Sequence, residues 1–148
     1  MTSPAIYRPF VKRDRAACLA LFDANCPAYF APNERDEYKY FLDSEPVGYE
    51  VFETEGRIVA SFGLIGMDNT SARLNWIMID PDHHGVGIGS TIMEHVVTLA
   101  RTRELKKICI AASHRSAPFF ARFGAIAIAH TKDGWGPGMD RIDMVLEP

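Results

Sequence analysis

Hydrophobic and polar positions alternate with a changing period along this chain, and each change of period predicts an element. "AIYRPF" reads as a short first strand. In "RDRAACLALFDAN" the spacing of Ala17, Leu19, Leu21 and Phe22 predicts a helix with one buried face. "NCPAYFAPN" interrupts it, and Asn33 then stands as the N-cap of a second helix whose positive first turn holds Glu34, Asp36 and Glu37. "EYKYFLDSE" continues that helix as far as Pro46 and Gly48. "GYEVFET" and "RIVASFGLIG", separated by Glu55 and Gly56, predict an antiparallel hairpin. After a turn at "MDNTSA" comes "RLNWIMID", where Leu74, Trp76, Ile77, Met78 and Ile79 are apolar on both faces and predict a central strand. Ile88, Ile92, Met93, Val96, Leu99 and Ala100 then recur at helical spacing through "IGSTIMEHVVTLAR". "KKICIAAS" reads as a buried strand with Cys109 in the core, and "SAPFFARFG" as a short helix closed by Gly124. "AIAIAHT" is a strand, "KDGWGPGMD" a loop, and "RIDMVLE" a half-covered strand that alternates Ile142, Met144 and Leu146 with Arg141, Asp143 and Val145.

Composition narrows the classes. With 148 residues, 47% of them hydrophobic, residues 1–148 suit one domain with its own core. Sixteen Lys and Arg against 19 Asp and Glu leave a net charge of -3, so no general attraction to nucleic acid or to an anionic membrane is expected. No apolar stretch approaches the roughly 20 residues that span a bilayer, and "MTSPAIYRPF" lacks the apolar core of a secretion signal, which makes a cytoplasmic location the expectation. Cys18, Cys26 and Cys109 are odd in number and widely spaced, against both a disulfide framework and a metal site.

The candidate chemistry lies in "DPDHHGVGIGST", Asp80 to Thr91. A strand that feeds a glycine-rich turn opening a helix offers unpaired N–H groups and a positive dipole end, which together suit a phosphate. Absence of Cβ at Gly85, Gly87 and Gly89 would let phosphate oxygens approach the amides, with a hydroxyl from Ser90 or Thr91. A P-loop needs a lysine, and none lies between Ile58 and Thr102; the dinucleotide fingerprint needs a third glycine where Ser90 stands.

The remaining pattern resembles the acyl-CoA site of the GCN5-related N-acetyltransferase (GNAT) superfamily. There an apolar strand and V-x-P precede [RQ]-x-x-G-x-[GA] at a helix start, matched by Ile79, Asp80 and Pro81, then His84, Gly87 and Gly89. The order of elements along the chain is similar as well. The resemblance implies a single-domain α/β fold, with a central, mixed, mostly antiparallel seven-stranded sheet flanked by about four helices. It also implies acetyl-CoA or another acyl-CoA as co-substrate, with no metal. Gly85, Val86, Gly87, Ile88, Gly89 and Ser90 would cradle the pyrophosphate beside His84, which replaces the usual Arg or Gln, while His83 is read as a solvated loop residue. Ile79 would offer backbone groups to the acyl carbonyl and the pantetheine, with Ser113 across a cleft between splayed strands.

Two positions depart from the family pattern. Phe120 stands where many members carry a tyrosine acid, and is expected to pack against the pantetheine arm; a thiol with a pKa of about 8.5 leaves without much help. Asn75 stands where several carry a glutamate base; it can orient a water but accepts no proton, which favours a weakly basic amine. Other candidate bases are His114, His130 and Glu34. Tyr29, Phe30 and Trp135 are the candidate acceptor-binding residues, with Glu34, Asp36, Asp133 and Asp140 available to attract a cationic amine. The expected reaction is direct attack of a small-molecule amine on the thioester, in a chain that family habit would make a homodimer. The alternatives are a non-catalytic acyl-CoA sensing module of the same fold and, third, a nucleotide-binding protein.

Overall fold

A computed structural model describes residues 5–85 and 87–148. Seven strands form one sheet in the order β1-β2-β3-β4-β5-β7-β6. They are β1 (Ile6–Pro9), β2 (Tyr49–Thr54), β3 (Arg57–Gly66), β4 (Ser71–Ile79), β5 (Lys107–Ser113), β6 (Ile126–Gly136) and β7 (Met139–Leu146). All neighbours are antiparallel except β4 and β5. Four helices cover the sheet: α1 (Arg15–Ala24), α2 (Glu34–Asp43), α3 (Ile88–Thr102) and α4 (Ala117–Ala121).

Three expectations change. The "KDGWGPGMD" segment is mostly strand rather than loop, with Gly136 paired to Met139. Glycines hide this pairing from a reading by β-propensity, and two aspartates tie the hairpin instead: Asp140 accepts from Asp133 N–H at 2.9 Å and Asp133 from Gly138 N–H at 2.8 Å. Asn33 precedes α2 without a side-chain cap; its Nδ2 donates 2.7 Å to Trp135 O. Cys109 is half-buried rather than core, because strand alternation turns it away from Ile108 and Ile110.

Two cores sandwich the sheet. Leu64, Leu74, Ile92, Met93, Ile110 and Phe120 belong to the one under α3 and α4; Phe22, Tyr38, Leu42, Tyr49 and Met78 belong to the one under α1 and α2. Strand β4 serves both by changing its parity. Ala72 and Leu74 point into the first core, whereas Trp76 and Met78 point into the second. The switch is a bulge: Met78 pairs with Ser61 and Asn75 with Gly63, so two β4 residues stand opposite one of β3. Trp76 takes a left-handed φ of 46° there.

A buried hydroxyl network holds that bulge. Tyr49 Oη donates 2.7 Å to Trp76 O, and lies 2.9 Å from Ser61 Oγ and 2.8 Å from Tyr38 Oη. A carbonyl only accepts, so Tyr49 gives its single proton to Trp76 and the other two hydroxyls supply the remaining protons. Burial pushes the pKa values of Tyr38 and Tyr49 upward and raises that of Cys18 to about 11, keeping the cluster neutral.

Candidate functional site

The parallel pairing of β4 with β5 runs only from Ser71 and Lys107 to Leu74 and Ile110. Beyond that point the two strands part, and a cavity of about 720 Å³ opens between them. The glycine turn forms one end of its wall, α4 contributes Phe119 and Phe120, and the α1–α2 segment contributes Tyr29, Phe30 and Glu34.

At the glycine end, Asp80 N–H donates 2.8 Å to Val59 O while Ile79 pairs with Ala60. In that register the N–H and C=O of Ile79 point away from β3, toward the cleft. Its carbonyl is occupied, accepting from Asn25 Nδ2 at 3.0 Å and from His84 Nε2 at 3.0 Å. His84 therefore carries its proton on Nε2. Ser90 lines the cavity, whereas Thr91 Oγ1 donates 3.0 Å back to Gly87 O within α3.

The three glycines have different reasons. Gly85 and Gly87 have φ of +78° and +88°, with open space where a Cβ would sit. A Cβ at Gly89 would fall 2.7 Å from Phe119 Cε1, so this glycine lets α4 pack on the start of α3. Conformation and helix packing, rather than ligand approach alone, thus account for the residue type. Val86 lies outside the described residues, and Ile88 packs on the first core without lining the cavity. His83 differs from a solvated loop residue: it is half-buried in the cleft wall, with Nδ1 3.8 Å from Asp80 Oδ2 and no hydrogen bond.

Across the cleft, Ser113 and Ser116 exchange hydrogen bonds that turn β5 into α4, with their Oγ atoms 3.1 Å apart. Phe120 is buried in the first core and also lines the cavity. On the other face, β4 parity brings Asn75 and Trp76 together beside Phe30, whose ring stacks 6.1 Å from that of Trp76. Trp135 reaches over from the β6–β7 hairpin, its Nε1 donating 2.9 Å to Ala112 O and its ring lying under Arg141.

Glu34 is the only acidic side chain on the cavity wall among the described residues. It is 3% exposed, and its Oε2 accepts from Ala31 N–H at 2.7 Å. Burial pushes this carboxyl up to about 7. The other expected acids lie elsewhere. Asp36 is exposed on α2, while Asp133 and Asp140 hold the hairpin together. Neither histidine proposed as a base lines the cavity either. His114 Nδ1 accepts from Asp140 N–H, and His130 Nε2 pairs with Asp140 Oδ2 at 2.8 Å. Asn25 and Arg73 line the cavity but escape a sequence reading, since only the tertiary fold brings them there; the Tyr38–Tyr49–Ser61 network, equally hidden, lies beneath the cleft in the second core. No group of three or more potential metal ligands occurs among the described residues.

Comparison with known proteins gives a consistent picture. A family model described as Acetyltransferase (GNAT) family matches residues 18–125. No curated protein matches the chain. Among solved structures, Ard1 from Thermoplasma volcanium has a TM-score of 0.81 at 15% identity, over 98% of this chain and 98% of that one. The ribosomal-protein-S18-alanine N-acetyltransferase from Escherichia coli has a TM-score of 0.78 at 16% identity, over 97% and 94%. Rv2747 from Mycobacterium tuberculosis, solved in complex with CoA, has a TM-score of 0.72 at 17% identity, over 97% and 99%. These three likenesses concern the fold.

Proposed function

Because this chain belongs to the GNAT family of acetyltransferases, we propose that it transfers an acetyl or short acyl group from coenzyme A to the primary amine of a small molecule, by direct attack. The observation that carries the choice of a small acceptor is closure of the cleft. Asn33 Nδ2 bonds Trp135 O, tying the hairpin to the start of α2, and Arg115 Nη1 donates 3.2 Å to Ala28 O from the opposite side. Gly136 permits the first of these ties: a Cβ there would collide with Asn33 Oδ1 and lie 3.0 Å from Ala31 Cβ. Both ties narrow the acceptor end of the cleft, which favours a small amine over an extended peptide.

In this reading the glycine turn, the free N–H groups at the start of α3 and Ser90 hold the pyrophosphate. The Ile79 amide, already turned into the cleft, stabilises the oxyanion that forms as the amine lone pair attacks the thioester carbon. The C–N bond forms, the C–S bond breaks, and the thiolate leaves without an acid from Phe120, since its conjugate thiol has a pKa of about 8.5. Asn75 orients the amine or a water at the bulge. Glu34, which unlike His114 and His130 lines the cavity, accepts the proton that the amine loses. Incubation with acetyl-CoA and separate sets of small amines and short peptides tests this: N-acetylated small amines, identified by mass spectrometry, are expected. Acetylation of peptide N-termini alone would contradict it.

A second reading, a non-catalytic acyl-CoA sensor, draws on Asn75 and Phe120 standing where ionisable groups are common. Tight acetyl-CoA binding without product from any amine would favour it.

A further inference from the structure

We infer that the acceptor amine also carries a carboxylate, held by Arg73 at the floor of the cleft. This rests on the proposed transfer to a small amine and narrows that substrate class. Arg73 pairs with Cys109 one step before β4 and β5 part. Its neighbours Ala72 and Leu74 point into the first core, so alternation puts Arg73 on the face of Asn75 and Trp76. There it is half-buried and lines the cavity.

Its lack of a partner is the telling feature. Of the four arginines on the cavity wall, Arg115 donates to Ala28 O, Arg141 is 2.9 Å from Asp143, and Arg122 lies over the Phe123 ring. Arg73 has neither an ion pair nor a side-chain hydrogen bond among the described residues. A half-buried guanidinium gives up part of its hydration, and an anionic partner offsets that loss most fully. The pyrophosphate cannot be that charge: Arg73 stands six residues along β4 from Ile79, roughly 20 Å at about 3.3 Å per residue. Arg73 is only two residues from Asn75, within reach of a group attached to an amine at the bulge.

A carboxylate suits this position. The planar guanidinium fork matches its two oxygens. A carboxylate beside an ammonium also holds the amine protonated, and pairing with Arg73 offsets that effect, easing proton loss to Glu34. Phe30, Trp76 and Trp135 supply an apolar wall for the rest of the molecule.

The test is acetyl-CoA turnover with matched triads: an L-amino acid, its amide and the corresponding decarboxylated amine, taken across apolar and aromatic side chains. The acid form is expected to have a kcat/KM about ten- to a hundredfold above both analogues, the worth of one charge-assisted contact. Arg73→Met is expected to bring that ratio to about one through the KM of the acid, and Arg73→Lys to restore part of it. Thermal unfolding of each variant separates loss of the fold from loss of the contact, because a ratio between acceptors is read only on folded protein. Turnover with amines but equal or lower rates with the acids would overturn the carboxylate inference alone. Binding of acetyl-CoA without turnover of any amine would overturn the transfer reading, and the inference with it.

Discussion

Burial holds the Glu34 carboxyl near a pKa of about 7, where a small change of pH decides its charge. If it is the base, the ionised form is the active one, so kcat/KM is expected to rise with pH through an inflection near 7 and then level off. Glu34→Gln is expected to remove that inflection. Stability runs the other way. A carboxyl whose folded pKa lies above its unfolded value, about 4.3, favours the native state at low pH, and that contribution is lost as pH rises through about 7. The melting temperature is therefore expected to fall between pH 5 and 7, and less so in the Gln variant. Gly87 gives a second residue-level prediction. Alanine there must adopt a φ of +88° and costs about 1 to 2 kcal/mol, so calorimetry is expected to show weakened CoA binding together with a lower melting temperature. The turn itself was legible in the sequence from its glycines. Their separate causes were not, because Phe119 approaches Gly89 only after α4 has folded back.

At the scale of elements, helices and most strands followed directly from apolar spacing, as α3 shows with Ile92, Met93, Val96 and Ala100 all buried. Strand β4 is more instructive. Its apolar residues on both faces suggested burial in a central strand, and it is one, yet the pattern also records a change of parity at the Trp76 bulge. No spacing rule reports such a shift, since it depends on a hydroxyl from β2 reaching a carbonyl of β4. Tyr49→Phe would leave the part-buried Trp76 O without its donor, at a cost of about 1 kcal/mol. We expect a lower melting temperature and a reduced kcat, as Asn75 and Ile79 lose their set positions. Ser61→Ala keeps the bond from Tyr49 to Trp76 and is expected to cost less in both measurements.

At the scale of the whole molecule, overall charge and local charge disagree. The chain carries a net charge of -3, yet among the described residues four arginines and a single acid line its cleft. Composition argued against a general attraction to polyanions but was blind to this local reversal, which arises from β4, β7 and the two loops beside α4. The closed hairpin was equally illegible, because "KDGWGPGMD" reads as loop until Asn33 and Gly136 are seen packed together. Asn33→Ala is expected to loosen that closure and to raise the KM of the acceptor while that of acetyl-CoA holds. No helix among the described residues is long and apolar enough to cross a membrane. The most direct test of the account is free-thiol release from acetyl-CoA by this chain, in the presence of small primary amines. Saturable release, lost in Glu34→Gln at neutral pH, is the predicted result; intact binding of acetyl-CoA with no release from any amine would contradict it.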